Sequence, residues 1–256
     1  MTAPIISYDN TIINGSLSEP QTDIYSVSKT QEYQVGTKLE YGDGRIFRYS
    51  RNGAAAIGAA LMSQQAPVET KLVAIAQTAH PQSVGATEIT VLITTGATLV
   101  DDELAGGYLN VNKGAATALG DIYKIKSSKQ QSTDTLLDLV LETPIRNAIV
   151  ATDEITIVPA KQSNVVVFPT TQTGAANGVA LVDVAADEYF WAQTAGPAPL
   201  IVDTAETVVV GDTVGAPAAM AVAGACGVRV TLKPSWGTVM IVAAAAEPAI
   251  VDLDLE

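Results

Sequence analysis

Short apolar runs with alternating polar positions follow one another along the chain beyond residue 70. Examples are EITVLIT, DIYKIKSS and DEITIVP in the first half, and GVALVDV, ETVVVG and TVMIVAA in the second. Gly, Asp, Asn and Pro separate these runs at intervals typical of β-sandwiches and β-barrels. Long helical patterns between the strands are missing, which argues against an α/β enzyme fold. We therefore predict an all-β fold with two β-sandwich or barrel-like parts.

The N-terminal quarter of the chain follows a different pattern. Residues 1–40 are polar and without periodicity, so we expect an extended arm that orders only against a partner. The run RIFRYS at residues 45–50 alternates and predicts a strand. Residues 53–65 contain good helix formers and stop before Pro67, which predicts one short helix.

A change in composition at residues 169–178, with the sequence PTTQTGAANG, indicates a linker between the two β parts. We therefore predict three consecutive parts. Residues 1–66 form the arm, strand and helix, residues 67–168 form a first β domain, and residues 169–256 form a second β domain.

Charge and hydropathy exclude two classes of partner. The chain has 27 acidic and 14 basic residues and a formal charge of −13, so nucleic acid would be repelled. The longest apolar run, VMIVAAAA, stops at Glu247 and is far shorter than the ~20 residues of a membrane span. No charged segment followed by an apolar run stands near the N-terminus, so we expect no secretion signal.

The motifs of catalysis and nucleotide binding are incomplete. Gly42 and Gly44 precede their strand, and Phe47 occupies the place of a third glycine, so the dinucleotide fingerprint fails. The Gly-Lys-Ser/Thr of a phosphate-binding loop is absent. His80 is the only histidine, and no nucleophile motif accompanies it. We predict no catalytic residue, no cofactor and no enzymatic activity.

Metal and disulfide chemistry are not predicted either. The carboxylates of VDDELAGG at residues 100–107 lack the spacing of a calcium loop and favour a solvated turn. Cys226 is the only cysteine, so we expect a small buried side chain. The run of Tyr189, Phe190 and Trp191 could bind sugars, but in a chain poor in aromatics a role in the core is favoured.

Five segments together resemble structural proteins of tailed bacteriophages, particularly marine ones. They are GYLNVNKG, GDIYKIKSS, LVLETPIRNAIVATDEITIVP, DEYFWAQTAGPAPLIVD and VVVGDTVGA, and the resemblance spans residues 41–256. The pattern Tyr-x-Trp-x-Gln-Thr-x-Gly-Pro-Ala carries the resemblance. The matching residues are Tyr189, Trp191, Gln193, Thr194, Gly196, Pro197 and Ala198.

The resemblance implies a head decoration (cement) protein, made in the host cytoplasm and placed on the exterior of the virion capsid. Its expected partners are the major capsid protein and further copies of itself, most simply as a homotrimer that covers exposed strand edges. The alternative is a receptor-binding or fibre protein that contacts host glycans, although the repeats and heptads typical of long fibres are absent.

The stretch YGDGRIFRYSRNGAAAIGAALMSQ at residues 41–64 is the predicted assembly surface. Three arginines within seven positions of an acidic chain are suited to pairing with carboxylates at an interface. In the predicted helix, three- and four-residue spacing places four small or apolar residues on one face. The alternative is a helix that only caps its own barrel. The candidate residues are Arg45, Arg48, Arg51, Ala54, Ile57, Gly58 and Leu61.

Overall fold

The computed structural model describes residues 23–67, 69–97, 99–114, 118–131, 135–230 and 233–256. Within these residues the chain forms β-strands and one 3-10 turn at Thr70–Leu72, so the all-β prediction is confirmed. The strands are β1 Lys38–Glu40, β2 Ile46–Arg51, β3 Leu61–Gln64, β4 Ile75–Ala76, β5 Glu88–Leu92, β6 Tyr108–Lys113, β7 Ile122–Gln130, β8 Leu136–Leu141, β9 Glu154–Val158, β10 Val166–Val167, β11 Ala176–Ala180, β12 Tyr189–Ile201, β13 Thr213–Gly215, β14 Gly227–Val228, β15 Ser235–Ile241 and β16 Pro248–Asp254.

The strands belong to two compact units, and one is inserted into the other. The first unit contains the chain up to Ala66 together with Lys161–Glu256, and the second contains Pro67–Ala160. The predicted boundary after residue 66 agrees with this division, but the predicted end of the first β domain at residue 168 is too late. The N-terminal part is not separate, because β2 pairs with β12.

The first unit is built around the thirteen-residue strand β12. Its strands run in the order β10-β3-β11-β12-β16-β15-β13-β14, and β2 pairs with both β12 and β1. Trp236 and Phe168 pack edge to face in the largest core cluster of this unit, with ring centroids 4.8 Å apart. Small Ala and Val side chains fill much of the remaining core, as the composition predicts.

The second unit is a six-stranded antiparallel sheet in the order β4-β9-β6-β7-β8-β5. Most of its strands alternate, and the run LLDLVL of β8 has every second residue buried. The inward side chains are almost all Leu, Ile and Val, which pack well on a pleated surface. The binary pattern of the sequence therefore decides which face of each strand is buried.

The edge strands β4 and β5 are linked through a buried glutamine instead of a backbone ladder. The Gln77 side-chain nitrogen donates to the Leu92 carbonyl at 3.2 Å, and the Leu92 N–H donates to Gln77 Oε1 at 2.9 Å. Beside them, the Thr94 N–H donates to the Lys71 carbonyl. Unpaired sheet edges invite foreign strands. The side-chain amide of Gln77 supplies hydrogen-bond partners for the carbonyl and N–H of Leu92, so these groups of the edge strand β5 are paired within the unit.

The described part of the predicted arm, residues 23–40, orders on the chain itself. Ser28 and Tyr189 exchange two backbone hydrogen bonds, of 3.1 and 2.7 Å. Ile24 is buried in the aromatic cluster next to β12, and β1 pairs with β2. The expectation that this segment orders only against a partner is therefore wrong for these residues, and residues 1–22 lie outside the described residues.

The prediction of a helix at residues 53–65 is wrong. Residues up to Ala60 form an irregular connection, and β3 follows directly. Ala60 has a φ of +58°, which a helix does not allow. The Asn52 side chain donates to the Val184 carbonyl, and Ile57 forms a β-bridge to Val184. Pairing with distant backbone therefore outweighs the helix propensity of these Ala residues.

We expect Gln77→Leu to destabilise the second unit by about 1–3 kcal/mol, because the N–H and carbonyl of Leu92 lose their partner. Urea unfolding of the full chain measures this change. Gln172→Leu is the matched control, because Gln172 is exposed in a turn of the first unit. Equal free energies of unfolding for the two variants would contradict the role given to Gln77.

Candidate assembly site on the central strand

The three candidate arginines all find carboxylates within their own chain. Each guanidinium lies 3.1 Å or less from its carboxylate oxygen, and each arginine side chain is about a quarter exposed or less. The structure therefore pairs these arginines within the first unit and does not present them as free cations, and the expected acidic partners at an interface stay a prediction. The pairs are Arg45 with Asp43, Arg48 with Glu256, and Arg51 with Asp187.

The four candidate residues of the predicted helix do not share one face. Ala54 is exposed, whereas Ile57 is buried and forms part of a core cluster. A Cβ on Gly58 would lie 3.2 Å from Cδ1 of Leu61, a flexible side chain, so no backbone approaches this glycine closely. The structure therefore does not bring the seven candidates into one surface, and their role in assembly stays a prediction.

The motif that carries the phage resemblance forms β12, and its polar residues stabilise a bulge. The register of β12 against β2 shifts between Gln193 and Ala195. Gly196 has a φ of +78°, and a Cβ there would lie 3.1 Å from the Cα of Arg45. The buried Gln193 side chain donates to the carbonyls of residues 195, 196 and 197 at 2.9–3.3 Å. These motif residues shape a strand, which explains their spacing.

The aromatic residues of the motif belong to the core. Phe190 and Trp191 are 1% and 3% exposed, which confirms the interpretation favoured from the sequence. The Trp191 ring packs against Tyr33 and Tyr49, with centroids 5.3 and 5.1 Å apart. Tyr189 stacks on Tyr49 at 5.7 Å. Burial raises the pKa of Tyr49 to about 12, so this hydroxyl stays protonated at neutral pH.

Glu256 connects the end of the chain to β2 and β12. Arg48 binds its carboxylate in a bidentate manner, from Nε at 3.0 Å and from a terminal guanidinium nitrogen at 2.6 Å. The Thr194 hydroxyl donates to the same carboxylate at 2.7 Å, and the Leu255 N–H donates to the Thr194 carbonyl. Bidentate charged pairs of this kind are among the stronger hydrogen bonds in proteins. We call Arg48, Thr194 and Glu256 the terminal clamp.

The electrostatics of the terminal clamp follow from its burial and hydrogen bonds. Burial alone would raise the pKa of the Glu256 carboxyl. The hydrogen bonds from Arg48 and Thr194 lower it by more than burial raises it, so the pKa lies below its ordinary value of 4.5. Burial lowers the pKa of the neighbouring Lys161, and the Glu256 charge partly opposes this effect. The clamp therefore favours an ionised carboxylate at neutral pH.

Asp203 is a second organising carboxylate of the first unit. It is fully buried, and it accepts backbone N–H groups from Ala205, Ala221 and Val222 at 2.8–2.9 Å. Its own N–H donates to the Cys226 carbonyl. A buried carboxylate needs such partners. Asp203 therefore fixes two loops that have no ladder of their own.

Sequence reasoning missed both carboxylates, for different reasons. Asp203 follows the apolar run LIV and accepts the N–H of Ala205, two residues later. This is the spacing of an Asx turn, so the sequence did contain a signal for the role of Asp203. Nothing local marks Glu256, because its arginine partner lies 208 residues earlier. Long-range pairs of this kind become visible only in the folded chain.

The acidic turn at residues 100–107 borders a groove of about 550 Å³ in the second unit, between β5, β7 and β8. Asp102 accepts the Ser128 N–H at 3.1 Å, and Asp138 accepts the Thr90 hydroxyl at 2.6 Å. Across the described ranges, no group of three or more His, Cys, Asp and Glu side chains is placed to hold a metal ion. Asp102 therefore fixes the acidic turn against β7, and Asp138 links β8 to β5.

Comparison with known proteins adds no relative to this description. No protein-family model, curated protein or solved structure matches the chain. In the part of the chain that the structure describes, no helix has the length and apolar character needed to cross a membrane. The functional interpretation therefore depends on the residues themselves.

We expect Glu256→Gln to lower the free energy of unfolding by about 1–3 kcal/mol at neutral pH, because charged hydrogen bonds are lost. A carboxyl with a lowered pKa stabilises the fold above its ordinary pKa, and this stabilisation is lost as the pH falls through the folded-state pKa. The difference between variant and wild type should thus shrink between about pH 6 and about pH 3.

Urea unfolding of both proteins across this pH range provides the measurement for Glu256. Other carboxyls with lowered pKa values, such as Asp121 and Asp43, are present in both proteins and cancel in the difference. A difference that stays constant with pH would show that the Glu256 charge does not act through the clamp.

We expect Asp203→Ala to destabilise the first unit by at least about 2 kcal/mol, because three backbone N–H groups lose their acceptor. Asp254→Ala is the control, since Asp254 lies exposed at the end of β16. Chemical denaturation followed by Trp fluorescence measures both, because Trp191 and Trp236 belong to this unit. A loss of less than about 0.5 kcal/mol for Asp203→Ala, the range of ordinary surface substitutions, would contradict its organising role.

Proposed function

We propose that the chain is a structural virion protein that decorates and stabilises the outer capsid surface of a tailed phage, with the major capsid protein as its partner. The observation that carries the proposal is the terminal clamp. Arg48, a candidate interface residue, and Thr194, a residue of the motif, hold Glu256 against the centre of the longest strand. The clamp joins segments that are far apart in the sequence, and such a link suits a protein that bears mechanical load.

The strand pairing supports a protein that resists tension. β12 and β16 are joined over seven consecutive residue pairs, from Ala195 with Asp254 to Ile201 with Pro248. Antiparallel hydrogen bonds lie perpendicular to the strands, so a force along the strands loads them together. The clamp secures the end of this ladder. A protein that braces a pressurised shell benefits from such a ladder.

The sequence motif supports the same function. Its matching residues form β12 and the bulge at Gly196, so the resemblance to phage decoration proteins involves the residues that organise the fold.

The glycan-binding alternative is less well supported. A sugar platform needs exposed aromatic rings, whereas Phe190 and Trp191 are buried. Tyr25 is 57% exposed, but Tyr33, Tyr49 and Tyr189 pack together in the aromatic cluster that contains Trp191. The homotrimer inferred from the sequence stays a prediction, which mass photometry of the purified chain can test.

We expect virions that lack this chain to release DNA at a lower temperature than complete virions, because a decoration protein adds binding energy between capsomers. Dye access to DNA during heating measures the release, and mass spectrometry of purified virions establishes whether the chain is present. Adding back the purified chain should restore the release temperature. Absence from complete virions, or equal heat stability with and without the chain, would contradict the proposal.

A further inference from the structure

An apolar surface lies on the outer side of β15 and β16. Six large apolar residues there are between 38% and 65% exposed, and they come from β15 and the residue after it, from β16, and from the turn before β13. Isolated exposed aliphatic residues are common, but a contiguous group marks an interaction site. We call this group the apolar face. Its members are Val209, Val210, Met240, Ile241, Val242 and Ile250.

A β-bulge creates the centre of the apolar face. Val239 pairs with Val251, and Ile241 pairs with Ile250, so the register shifts and Met240 is the extra residue. Regular alternation would bury one of two consecutive residues. Here Met240 and Ile241 are both exposed, at 47% and 58%. Bulges often redirect side chains at functional positions.

The pairing of neighbouring strands makes the apolar face continuous. Ile250 lies opposite Ile241 on one side and opposite Pro199 of β12 on the other. The turn that contains Val209 and Val210 joins the edge of β15, because the Gly211 N–H donates to the Val239 carbonyl. The exposed apolar residues therefore lie side by side across adjacent strands.

Negative charge surrounds the apolar face. Residues 199–256 contain seven Asp or Glu and only two Lys or Arg, and five acidic residues remain when the buried Asp203 and the Arg48-bound Glu256 are left out. Both cations are used internally, since Arg229 donates to the Lys233 carbonyl and Lys233 donates to the Pro217 carbonyl. Asp252 lies two positions from Ile250 on the same exposed face of β16. The rim carboxylates are Asp212, Glu247, Asp252 and Asp254.

This charge pattern decides between possible occupants. A second copy in the same orientation would place carboxylates opposite carboxylates, and like charges across an interface are unfavourable. A partner with an apolar centre and a rim of Lys or Arg would satisfy both parts of the surface. The charge of −13 on the whole chain favours the same choice.

We propose that the apolar face is the surface through which the chain docks onto the capsid shell, at a site with an apolar centre and a basic rim. This inference rests on the proposed function and adds the docking surface and the chemistry of the partner. The bulge residues Met240 and Ile241 form the centre of the contact, and the carboxylates of Asp252 and its neighbours meet the cations of the shell.

The test uses purified phage capsids that lack the chain, incubated with the full-length wild type or a variant. Ile241→Asp places a charge at the centre of the apolar face, and we expect binding to weaken at least tenfold, as for a central interface residue. Val84→Asp is the matched control, because Val84 is 63% exposed in the second unit. The control should bind like the wild type, and equal unfolding midpoints would show that both variants are folded.

A charge reversal tests the rim. Asp252→Lys should weaken binding, and added salt should weaken wild-type binding more than that of the variant. Stronger binding by Asp252→Lys would show an acidic partner surface and would overturn the proposal. Loss of self-association by Ile241→Asp in sedimentation velocity, with capsid binding intact, would assign the face to a second copy.

Two failures can be distinguished. Wild-type chain that does not bind the capsids contradicts the proposed function and, with it, the docking surface. Wild-type chain that binds while Ile241→Asp binds equally well contradicts only the docking surface. Binding by wild type and Val84→Asp, together with its loss in Ile241→Asp, supports both.

Discussion

The backbone of β12 needs hydrogen-bond partners along thirteen residues, and the first unit is organised by this requirement. β2 and β11 pair with its first half, and β16 pairs with its second half. The change of partner occurs at the bulge before Gly196, where the Gln193 side chain binds three carbonyls. The arm and the terminal clamp both attach to this strand, so their positions follow from it.

Side chains in both units replace backbone partners that the strands do not supply. Gln77 binds both backbone groups of Leu92, and Asp203 accepts three N–H groups from two loops. Asn52 similarly donates to the carbonyls of Ala55 and Ala185. Buried backbone groups must be paired, and a chain with many short strands and long connections leaves many of them outside ladders. Buried polar residues in such a chain are therefore structural in the first instance.

The sequence predicted many of the strands because they alternate, as in the run EITIV of β9. It failed at residues 53–65, where the Ala-rich run fits a helix locally but Ile57 and Leu61 pair with backbone more than 100 residues away. The insertion of one unit into the other also left no local signal. The candidate arginines were predicted to face acidic partners at an interface, and their spacing could not show that they pair with carboxylates of their own chain.

The insertion of Pro67–Ala160 into the first unit has a consequence for the order of folding. Every strand of the inserted unit is available once residue 160 has left the ribosome, so this unit can form while synthesis continues. The first unit needs β16 and Glu256, which are made after the inserted unit, to complete contacts with β2 and β12. β2 and β3 lack their principal partners, β12 and β11, until the chain well beyond residue 160 has been made. The inserted unit therefore keeps the two halves of its host within a short distance of each other, and it lowers the entropy cost of closing a loop of more than 90 residues.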